Sequence, residues 1–351
     1  MLEVAGPSLE RTAHPIQALN HSEAIASALD YMDKHFSAQS MTAIGHRIVH
    51  GGQTFDRSVK FTPAVVDRLK SMVTFDPEHL PLALELVEKL SQRFPSIPQI
   101  ACFDTSFYRD LPDVARLLPL PRRLESLGLR RYGFHGLSYE SLLRQFSELA
   151  GPAAINGKII LAHLGSGASL TAVKGGQVLD TTMSFTPASG IPMSTRSGDL
   201  DPGIADFLRL QAGMTEEAFS HMVHFESGLL GVSELSSDME LLLEKRNTNS
   251  KAADAVHLFC YQVRKAIGGL AAALGGIDSL IFSGGMGEKS AVIRTMISEG
   301  LDFLGLSLDE ERNQSHEFLI SSPQSRVGIH VMQTDEASII AKEVQQIVTT
   351  K

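Results

Sequence analysis

Two arginines and a histidine lie in segments whose composition suits the binding of anions. Arg47 follows the apolar start of AIGHRIVHGG, where a charge needs a partner or a ligand. Arg196 lies in the polar loop MSTRSGDLDPG, where a surface salt bridge with Asp199 or Asp201 is an equally good interpretation. His135 stands in RYGFHGLSY, where a core histidine bonded to the backbone is the simpler interpretation. A guanidinium binds carboxylate or phosphate oxygens in pairs, which suits transfer of phosphate between oxyanions.

Two carboxylates follow apolar runs that read as strands. Asp104 ends the run IACFD, and Glu336 comes after IHVMQTD, where a helix begins. A carboxylate or two, completed by water and phosphate oxygens, is the usual protein contribution to a Mg²⁺ site. For Glu336 the helix macrodipole alone is a sufficient alternative explanation, because it favours an acidic residue in the first turn.

His46 and His50 have the i, i+4 spacing that would bind a metal ion on a helix. The flanking Ile48, Val49 and paired glycines instead favour a strand, where the two rings share a face but lie too far apart for one ion. A metallohydrolase built on this pair is therefore the least favoured function.

Two glycine-containing loops follow apolar strands. HLGSGAS joins two strands, and SGGMGE joins a strand to a helix. Backbone N–H groups next to glycine form anion-binding nests, and the second loop also offers a helix N-terminus. Neither loop matches the lysine-bearing P-loop or the dinucleotide fingerprint. Each loop alone is more often an ordinary turn, but two of them in one chain favour phosphate binding.

The elements that must position these residues alternate between helices and strands. Apolar spacing predicts helices over 22–36 with Ser22 as the cap, 80–94, 137–149, 251–276 and 335–348. MTAIGHRI, QIACF and the run KIILAHLGSGASLTAVKGGQVLDTT read as strands, the last as a meander, and DSLIFSGGMGEKSAVIRTMISEG reads as strand, loop and helix. This alternation predicts an α/β protein.

Composition excludes several classes of function. The chain has 351 residues, 43% of them hydrophobic, and a net charge of −9 without a long basic run, which argues against a nucleic-acid partner. No apolar run approaches the roughly 20 residues that span a bilayer, and the first residues do not resemble an export signal. Cys102 and Cys260 lie in apolar runs, so buried thiols and a cytoplasmic location are expected.

The order of the motifs resembles that of the acetate kinase family. The resemblance rests on GHRIVHGG, FDTSF, RRYGFHGLSY, HLGSGAS, DTTMSFTPASGIPMSTRSGDLDPG, SGLLGVSELSSD, FSGGMGE and TDEAS, which together cover residues 45 to about 342. It implies two ribonuclease-H-like α/β domains of the acetate and sugar kinase/actin superfamily with a central cleft. The implied domains are residues 1–108 with 338–351 for the acyl substrate, and residues 109–337 for the nucleotide. The resemblance also implies a homodimer and a role in organic acid metabolism.

The activity implied by the resemblance is Mg²⁺-dependent, reversible phosphoryl transfer from ATP to acetate, giving acetyl phosphate and ADP; Mn²⁺ is a possible substitute. Carried over by motif, Arg47 and Arg196 would bind the carboxylate and the phosphoryl group, and His135 would stabilise that group during transfer. Asp104 would orient acetate or act through the metal, and Glu336 would serve the metal site. The implied acyl pocket is formed by Val49, His79, Phe134 and Pro187. The implied nucleotide contacts are His163, Leu164, Gly165, Ser166, Gly167, Asp238, Met239, Glu240, Gly285, Met286, Gly287, Glu288 and Lys289.

The sequence departs from the family pattern at several places. No Asn-x-Gly-Ser-Ser-Ser-x-x-Lys-like loop stands before Gly45, so the first domain is expected to lack a central strand unless another segment replaces it. Ser166 replaces an asparagine, Glu240 replaces an arginine beside the nucleotide, and Glu78 replaces an apolar neighbour of the acyl pocket. These departures keep two alternatives open: a catalytically impaired, ligand- or partner-binding member, and a kinase of propionate, of another short-chain acid or with another phosphoryl donor.

Overall fold

The computed structural model describes residues 2–6, 9–16, 18, 20–36 and 41–349. The chain forms two compact units. The first unit consists of Met1–Gly51, Arg57–Phe103 and Ile340–Lys351, and the second consists of Gly52–Asp56 and Asp104–Ile339.

The first unit contains a strand pair, a three-stranded sheet and three helices. Its strands are β1 (Leu2–Gly6), β2 (Leu9–His14), β3 (Ile44–Ile48), β4 (Val59–Lys60) and β5 (Gln99–Phe103). Its helices are α1 (His21–His35), α2 (Pro63–Lys70) and α3 (Leu80–Arg93). The Asn20 side chain caps α1 by accepting from the Glu23 amide, so the predicted Ser22 cap is wrong by two residues.

The sheet of the first unit has the order β3-β5-β4. β3 and β5 are parallel, with Ile44 opposite Gln99, and β4 is antiparallel to β5. Among the residues described before Ile44, no strand joins this sheet, because β1 and β2 pair with each other. All five residues of β5 are buried, and its last residue, Phe103, directly precedes Asp104.

The second unit carries the remaining elements. Its strands are β6 (Lys158–Leu164), β7 (Ala168–Lys174), β8 (Gln177–Thr181), β9 (Ser279–Ser283) and β10 (Gly328–Val331). Its helices are α4 (Asp113–Arg116), α5 (Gly136–Leu149), α6 (Gly203–Ala212), α7 (Glu216–His221), α8 (Gly228–Ser233), α9 (Met239–Lys245), α10 (Ser250–Leu274), α11 (Gly284–Lys289), α12 (Ala291–Ser298) and α13 (Glu310–Gln314). The last helix, α14 (Glu336–Thr349), begins in this unit.

The five-stranded sheet of the second unit has the order β10-β9-β6-β7-β8. β6, β7 and β8 form the predicted antiparallel meander, and β9 and β10 run parallel to β6. Numbered in chain order, the strands read 5-4-1-2-3, which is the ribonuclease-H-like arrangement. The carboxyl ends of the central strands β6 and β9 therefore lie side by side, with His163 opposite Ser283. Ligands of open α/β sheets bind at such ends.

Helices cover this sheet with apolar faces. α10 begins at the Asn249 cap and ends at Gly275, whose φ of 70° needs a residue without a side chain. Its buried side chains, among them Phe259 and Val263, recur at helical spacing and pack with the strands of the meander. Tyr139 and Phe146 of α5 join a second buried cluster. Among the described residues, no helix has the length and apolar character that crossing a membrane requires.

Candidate active site

Two side chains that can donate hydrogen bonds, His135 and Arg196 of the second unit, converge beside Gly167, in the loop between β6 and β7. A methyl group placed on Gly167 would lie 3.2 Å from His135 Nε2 and 3.4 Å from Arg196 Nη1. The imidazole and the guanidinium thus approach one point at the end of the sheet. Such a pair of hydrogen-bond donors suits an oxyanion of a phosphoryl or carboxyl group.

The backbone before α5 fixes the position of His135. His135 has φ 59°, a left-handed conformation that is unusual for a residue with a side chain and is often found at functional sites. The next residue, Gly136, lies against the turn that begins at Asp104, because an added Cβ would stand 1.9 Å from the Asp104 carbonyl oxygen. Only glycine allows the backbone at 136 to approach the Asp104 carbonyl so closely, and this contact places His135 near Asp104.

Side chains from two elements orient the His135 ring. Its Nδ1 lies 2.8 Å from Ser169 Oγ, which in turn lies 2.6 Å from the Tyr139 hydroxyl. The Tyr139 hydroxyl also donates to the Ser169 carbonyl at 2.8 Å, and burial raises the pKa of Tyr139, which keeps the hydroxyl protonated. The ring of His163 lies 4.6 Å from that of His135, centre to centre. At Nδ1 the His135 ring thus bonds the hydroxyl of Ser169, which lies 34 residues further along the chain.

A tight loop presents Arg196. The Met193 amide donates to the Arg196 carbonyl at 3.0 Å, and Gly228 packs so closely on this turn that an added Cβ would lie 2.1 Å from the Met193 carbonyl. Arg196 Nη1 donates to the Pro187 carbonyl at 3.3 Å, so the predicted acyl-pocket residue Pro187 lies at the guanidinium. The carboxylate of Asp199 accepts from the Gly190 amide at 2.8 Å and so braces the loop itself.

Both predicted metal-site carboxylates lie at the first turns of α5. Asp104 is 1% exposed, and its backbone contacts Gly136. Glu336 accepts a hydrogen bond from the Ser138 hydroxyl. One turn further along α5, the Ser141 hydroxyl accepts from the Asp335 amide at 2.9 Å, which fixes the start of α14. In the part of the chain that the structure describes, no three histidine, cysteine or acidic side chains form a metal-binding group.

A cavity of about 610 Å³ adjoins the Gly165–Gly167 loop. It brings together the three segments that the resemblance assigns to the nucleotide. Its lining residues from those segments are Gly165, Ser166, Asp238, Met239, Glu240, Gly285, Met286 and Lys289; Ser194, Ser237, Leu243 and Ser290 complete it. Asp238 caps α9 by accepting from the Glu240 amide at 3.0 Å, so Glu240 lies exposed in the first turn of that helix.

Helix α11 forms one wall of this cavity. Gly284 has φ 74° and lies against β6, because an added Cβ would stand 2.8 Å from the Leu164 carbonyl. The Gly284 amide donates to Glu288 Oε1 at 2.9 Å, and Gly287 packs on Phe282 and Leu164. An added Cβ on Gly285 would instead meet nothing within 4 Å, which leaves the backbone of α11 open to a ligand there.

Three predicted site residues belong to the first unit. Arg47 is exposed on β3, on the face opposite to His46 and Ile48, and Val49 follows the end of the strand. His79 Nδ1 lies 2.7 Å from Asp76 Oδ1, and the two residues form an ion pair when the histidine is protonated. Phe134, by contrast, is a buried residue of the second unit, and its carbonyl accepts from the Tyr108 hydroxyl.

Sequence reasoning missed the residues that support the site. Tyr139 and Ser138 stand in the same motif as His135, and Ser169 stands in the loop motif HLGSGAS, but neither motif reveals which side chains meet. His46 and His50 belong to no group of three or more potential metal ligands among the residues that the structure describes. His46 bonds Gln99 at 2.6 Å, and burial lowers its pKa to about 4.

The sheet, the glycine loops and the convergence of His135 and Arg196 define a phosphoryl-transfer enzyme of the two-domain kinase type. The sequence model of the Acetokinase family matches residues 5–342. The chain belongs to that family, which confirms the resemblance read from its motifs. It is therefore a kinase with a mixed α/β fold of that family.

Relatives support this assignment along nearly the whole chain. The acetate kinase of Rhodopseudomonas palustris strain CGA009 is 41% identical over 333 residues, which is 94% of this chain and 83% of the relative. The propionate kinase of Citrobacter rodentium is 38% identical, over 93% of this chain and 83% of the relative. The crystal structure of Porphyromonas gingivalis acetate kinase superposes with a TM-score of 0.87 at 34% identity, covering 99% of this chain and 90% of that one. The crystal structure of a Francisella tularensis propionate kinase superposes with a TM-score of 0.88 at 33% identity, covering 93% of this chain and 84% of that one.

Proposed function

We propose that this chain transfers the γ-phosphoryl group of ATP to acetate, giving acetyl phosphate and ADP, and that it catalyses the reverse reaction. The observation that carries this proposal is the approach of His135 Nε2 and Arg196 Nη1 to one point beside Gly167. The same three-residue loop lines the large cavity with Gly165 and Ser166. A nucleotide in the cavity would thus direct its terminal phosphate towards the two donors.

The chemistry needs no covalent intermediate with the protein. A carboxylate oxygen of acetate attacks the γ-phosphorus, an O–P bond forms, and the bond to the bridging oxygen breaks, with its electron pair leaving on ADP. Negative charge spreads over the equatorial oxygens during transfer, and the protein mainly positions the reactants and neutralises that charge. Arg196 and His135 serve this role, and Asp104 would orient the acetate through the metal ion.

The nucleotide would occupy the 610 Å³ cavity. The backbone of Gly285 is accessible there, and Lys289 is the cation of the lining that can approach a phosphate. Glu240 stands exposed on the same wall and repels polyphosphate, which weakens nucleotide binding without blocking the cavity.

The carboxylates of Asp104 and Glu336 would hold Mg²⁺. Mg²⁺ prefers oxygen ligands, and water and phosphate oxygens usually supply most of them. Two protein carboxylates are therefore sufficient, and a larger cluster is not required. When bound, the ion neutralises charge on the phosphate oxygens. The hydrogen bond from Ser138 holds the Glu336 carboxylate in place for that purpose.

We propose that residues 1–108 with 338–351 bind the acyl substrate through Arg47, Val49 and His79, and that residues 109–337 bind the nucleotide. Phe134 and Pro187, the other residues predicted for the acyl pocket, lie in the second unit. A cytoplasmic location is also proposed, because both cysteines are free and buried, as in a reducing compartment. A homodimer is proposed because Leu200 and the α6 residues Phe207 and Leu210 expose apolar side chains.

A hydroxamate assay with ATP, Mg²⁺ and either acetate or propionate tests the function. The wild-type protein should form acyl phosphate, and Arg196→Ala should abolish this activity with an unchanged circular dichroism spectrum. Arg122→Ala, which removes an exposed arginine outside both the site and α6, is the control and should retain activity. Absence of acyl phosphate from the wild-type protein with both acids would contradict the proposal and favour a non-catalytic family member.

A further inference from the structure

Arg294 is a fully buried cation in the middle of α12, with 0% exposure. Its Nε donates to Asn313 Oδ1 at 2.8 Å, and its Nη2 lies 2.6 Å from the Asn313 carbonyl and 2.9 Å from His316 Nδ1. Its Nη1 donates to two consecutive carbonyls, those of Gly287 at 2.8 Å and Glu288 at 3.0 Å. These acceptors are uncharged groups, with His316 accepting as neutral imidazole.

The two carbonyls belong to the last turn of α11, whose other side lines the cavity. α11 has only six residues and three of them are glycine. Glycine lowers helix stability by about 1 kcal/mol per residue, and isolated helices shorter than about 12 residues are marginal in water. The geometry of α11 therefore depends on tertiary contacts. A cation at its C-terminal carbonyls also complements the helix dipole.

The partners of Arg294 are themselves held firmly. Asn313 Nδ2 donates to the Ala291 carbonyl at 3.1 Å and to Thr295 Oγ1 at 3.0 Å, which ties α13 to α12. His316 adopts φ 53°, a left-handed conformation that costs on the order of 1–3 kcal/mol for a residue with a side chain. The strain places its Nδ1 within hydrogen-bond distance of Arg294.

Burying the arginine charge at this position costs free energy, because the guanidinium loses its contacts with water. Burial lowers the pKa of Arg294 to about 10, since the charge loses its hydration. An apolar side chain of similar volume would avoid that desolvation. What an apolar side chain cannot supply is a planar fork of donors that bonds α11, α13 and His316 together.

We propose that Arg294, with Asn313 and His316, is a positioning residue that fixes the α11 backbone as the nucleotide-contacting wall of the cavity. The proposal rests on the proposed function, in which the nucleotide occupies this cavity. It assigns to Arg294 an effect on nucleotide binding, although the side chain is shielded from solvent and does not line the cavity.

The test compares Arg294→Lys with Arg264→Lys. Arg264 makes equivalent bonds to the Met296 and Ile297 carbonyls at the end of α12, without bonding α11, so it is a matched control. We expect Arg294→Lys to raise the KM for ATP about tenfold, with the KM for acetate within twofold of wild type. In the absence of nucleotide, its amides at 284–289 should exchange hydrogen about tenfold faster. Arg264→Lys should leave both quantities within twofold of wild type.

A second variant keeps the test decisive if Arg294→Lys does not fold. His316→Gly relieves the backbone strain and removes one acceptor, so it should fold and raise the KM for ATP about threefold. The proposal is overturned if the folded variants keep wild-type KM for ATP and wild-type exchange at 284–289, or if Arg264→Lys shows the same changes. Failure of the wild-type protein to bind ATP in a calorimetric titration would instead overturn the proposed function, and this proposal with it.

Discussion

Ser169 Oγ lies 2.8 Å from Nδ1 of His135, and this bond sets which way the His135 ring faces. The opposite nitrogen, Nε2, is the one that points to Gly167 and Arg196. A hydrogen bond at one ring nitrogen restrains the orientation of the ring and so the direction of the other nitrogen. Because Tyr139 bonds the same hydroxyl, the His135 imidazole is held by two side chains in series, Ser169 and Tyr139.

Ser169→Ala should therefore reduce kcat without impairing substrate binding. The ring loses its only described side-chain anchor at Nδ1, so the Nε2 donor is misplaced during transfer. We expect kcat to fall about 10- to 100-fold with KM for ATP and acetate within threefold. Steady-state kinetics measures kcat and KM separately. Tyr139→Phe keeps Ser169 but removes the hydroxyl that bonds it, so its kcat should fall less. A change in KM as large as the change in kcat in Ser169→Ala would argue against a positioning role.

Gly167→Ala tests the approach of His135 and Arg196 to one point. The new methyl group would lie 3.2 Å from His135 Nε2 and 3.4 Å from Arg196 Nη1, in the space that a phosphoryl oxygen would need. We expect kcat/KM to fall at least about tenfold while the folded structure is retained. Gly269→Ala on α10 is the control, since nothing lies within 4 Å of the added methyl group. That control should keep full activity and gain about 0.5–1 kcal/mol of stability in urea unfolding.

Glu240→Gln should improve nucleotide binding. The side chain is exposed on the cavity wall, so its repulsion of polyphosphate is screened and corresponds to about 0.5–1 kcal/mol. The KM for ATP should fall about two- to fivefold in the variant, with a smaller difference at high salt. Glu244→Gln, exposed one turn further along α9 and not among the lining residues, should have no effect. An unchanged KM for ATP in Glu240→Gln would place the nucleotide away from α9.

Stability should decline as the pH falls from about 6.5 towards 4. Burial lowers the pKa of His46 and of His330 to about 4, whereas in the unfolded chain both stay near 6.5. Between pH 6.5 and pH 4 the histidine is protonated in the unfolded state but stays neutral in the folded state. Protonation therefore favours unfolding, and each histidine lowers the free energy of unfolding by up to about 3 kcal/mol at pH 4. Urea unfolding at pH 7 and pH 5 measures the loss.

The variant His46→Gln should weaken that pH dependence. The exposed His221 provides the control variant, His221→Gln, whose pH dependence should equal that of wild type. If His46→Gln retains the full wild-type slope of stability against pH, the buried imidazole is not its source.

Local patterns predicted the elements that carry strong periodicity or clear ends. The meander of β6, β7 and β8 is confirmed, because apolar runs separated by the Gly165–Gly167 loop and the Gly175-Gly176 turn have the length of strands joined by short connections. α10 is confirmed with the expected glycine at its end. In contrast, α11 was expected as a loop, because its glycines oppose a helix and only contacts from distant residues impose one.

The site was predictable as a set of residue types, but its connections were not. Ser169 lies 34 residues from His135, and no local pattern indicates that the two side chains meet. Arg294 lies in an amphipathic segment where an arginine reads as a solvent-facing residue, yet the folded chain buries it completely. Contacts of this kind are decided by how the sheet and the helices pack, which depends on the whole second unit.

The three-residue loop between β6 and β7 is tightly closed, because the Gly165 amide donates to the Gly167 carbonyl at 3.1 Å. Gly165 and Ser166 line the cavity, while a methyl group on Gly167 would meet His135 and Arg196. Because so short a turn joins the two places, a change in its length would alter the cavity and the surroundings of His135 and Arg196 together.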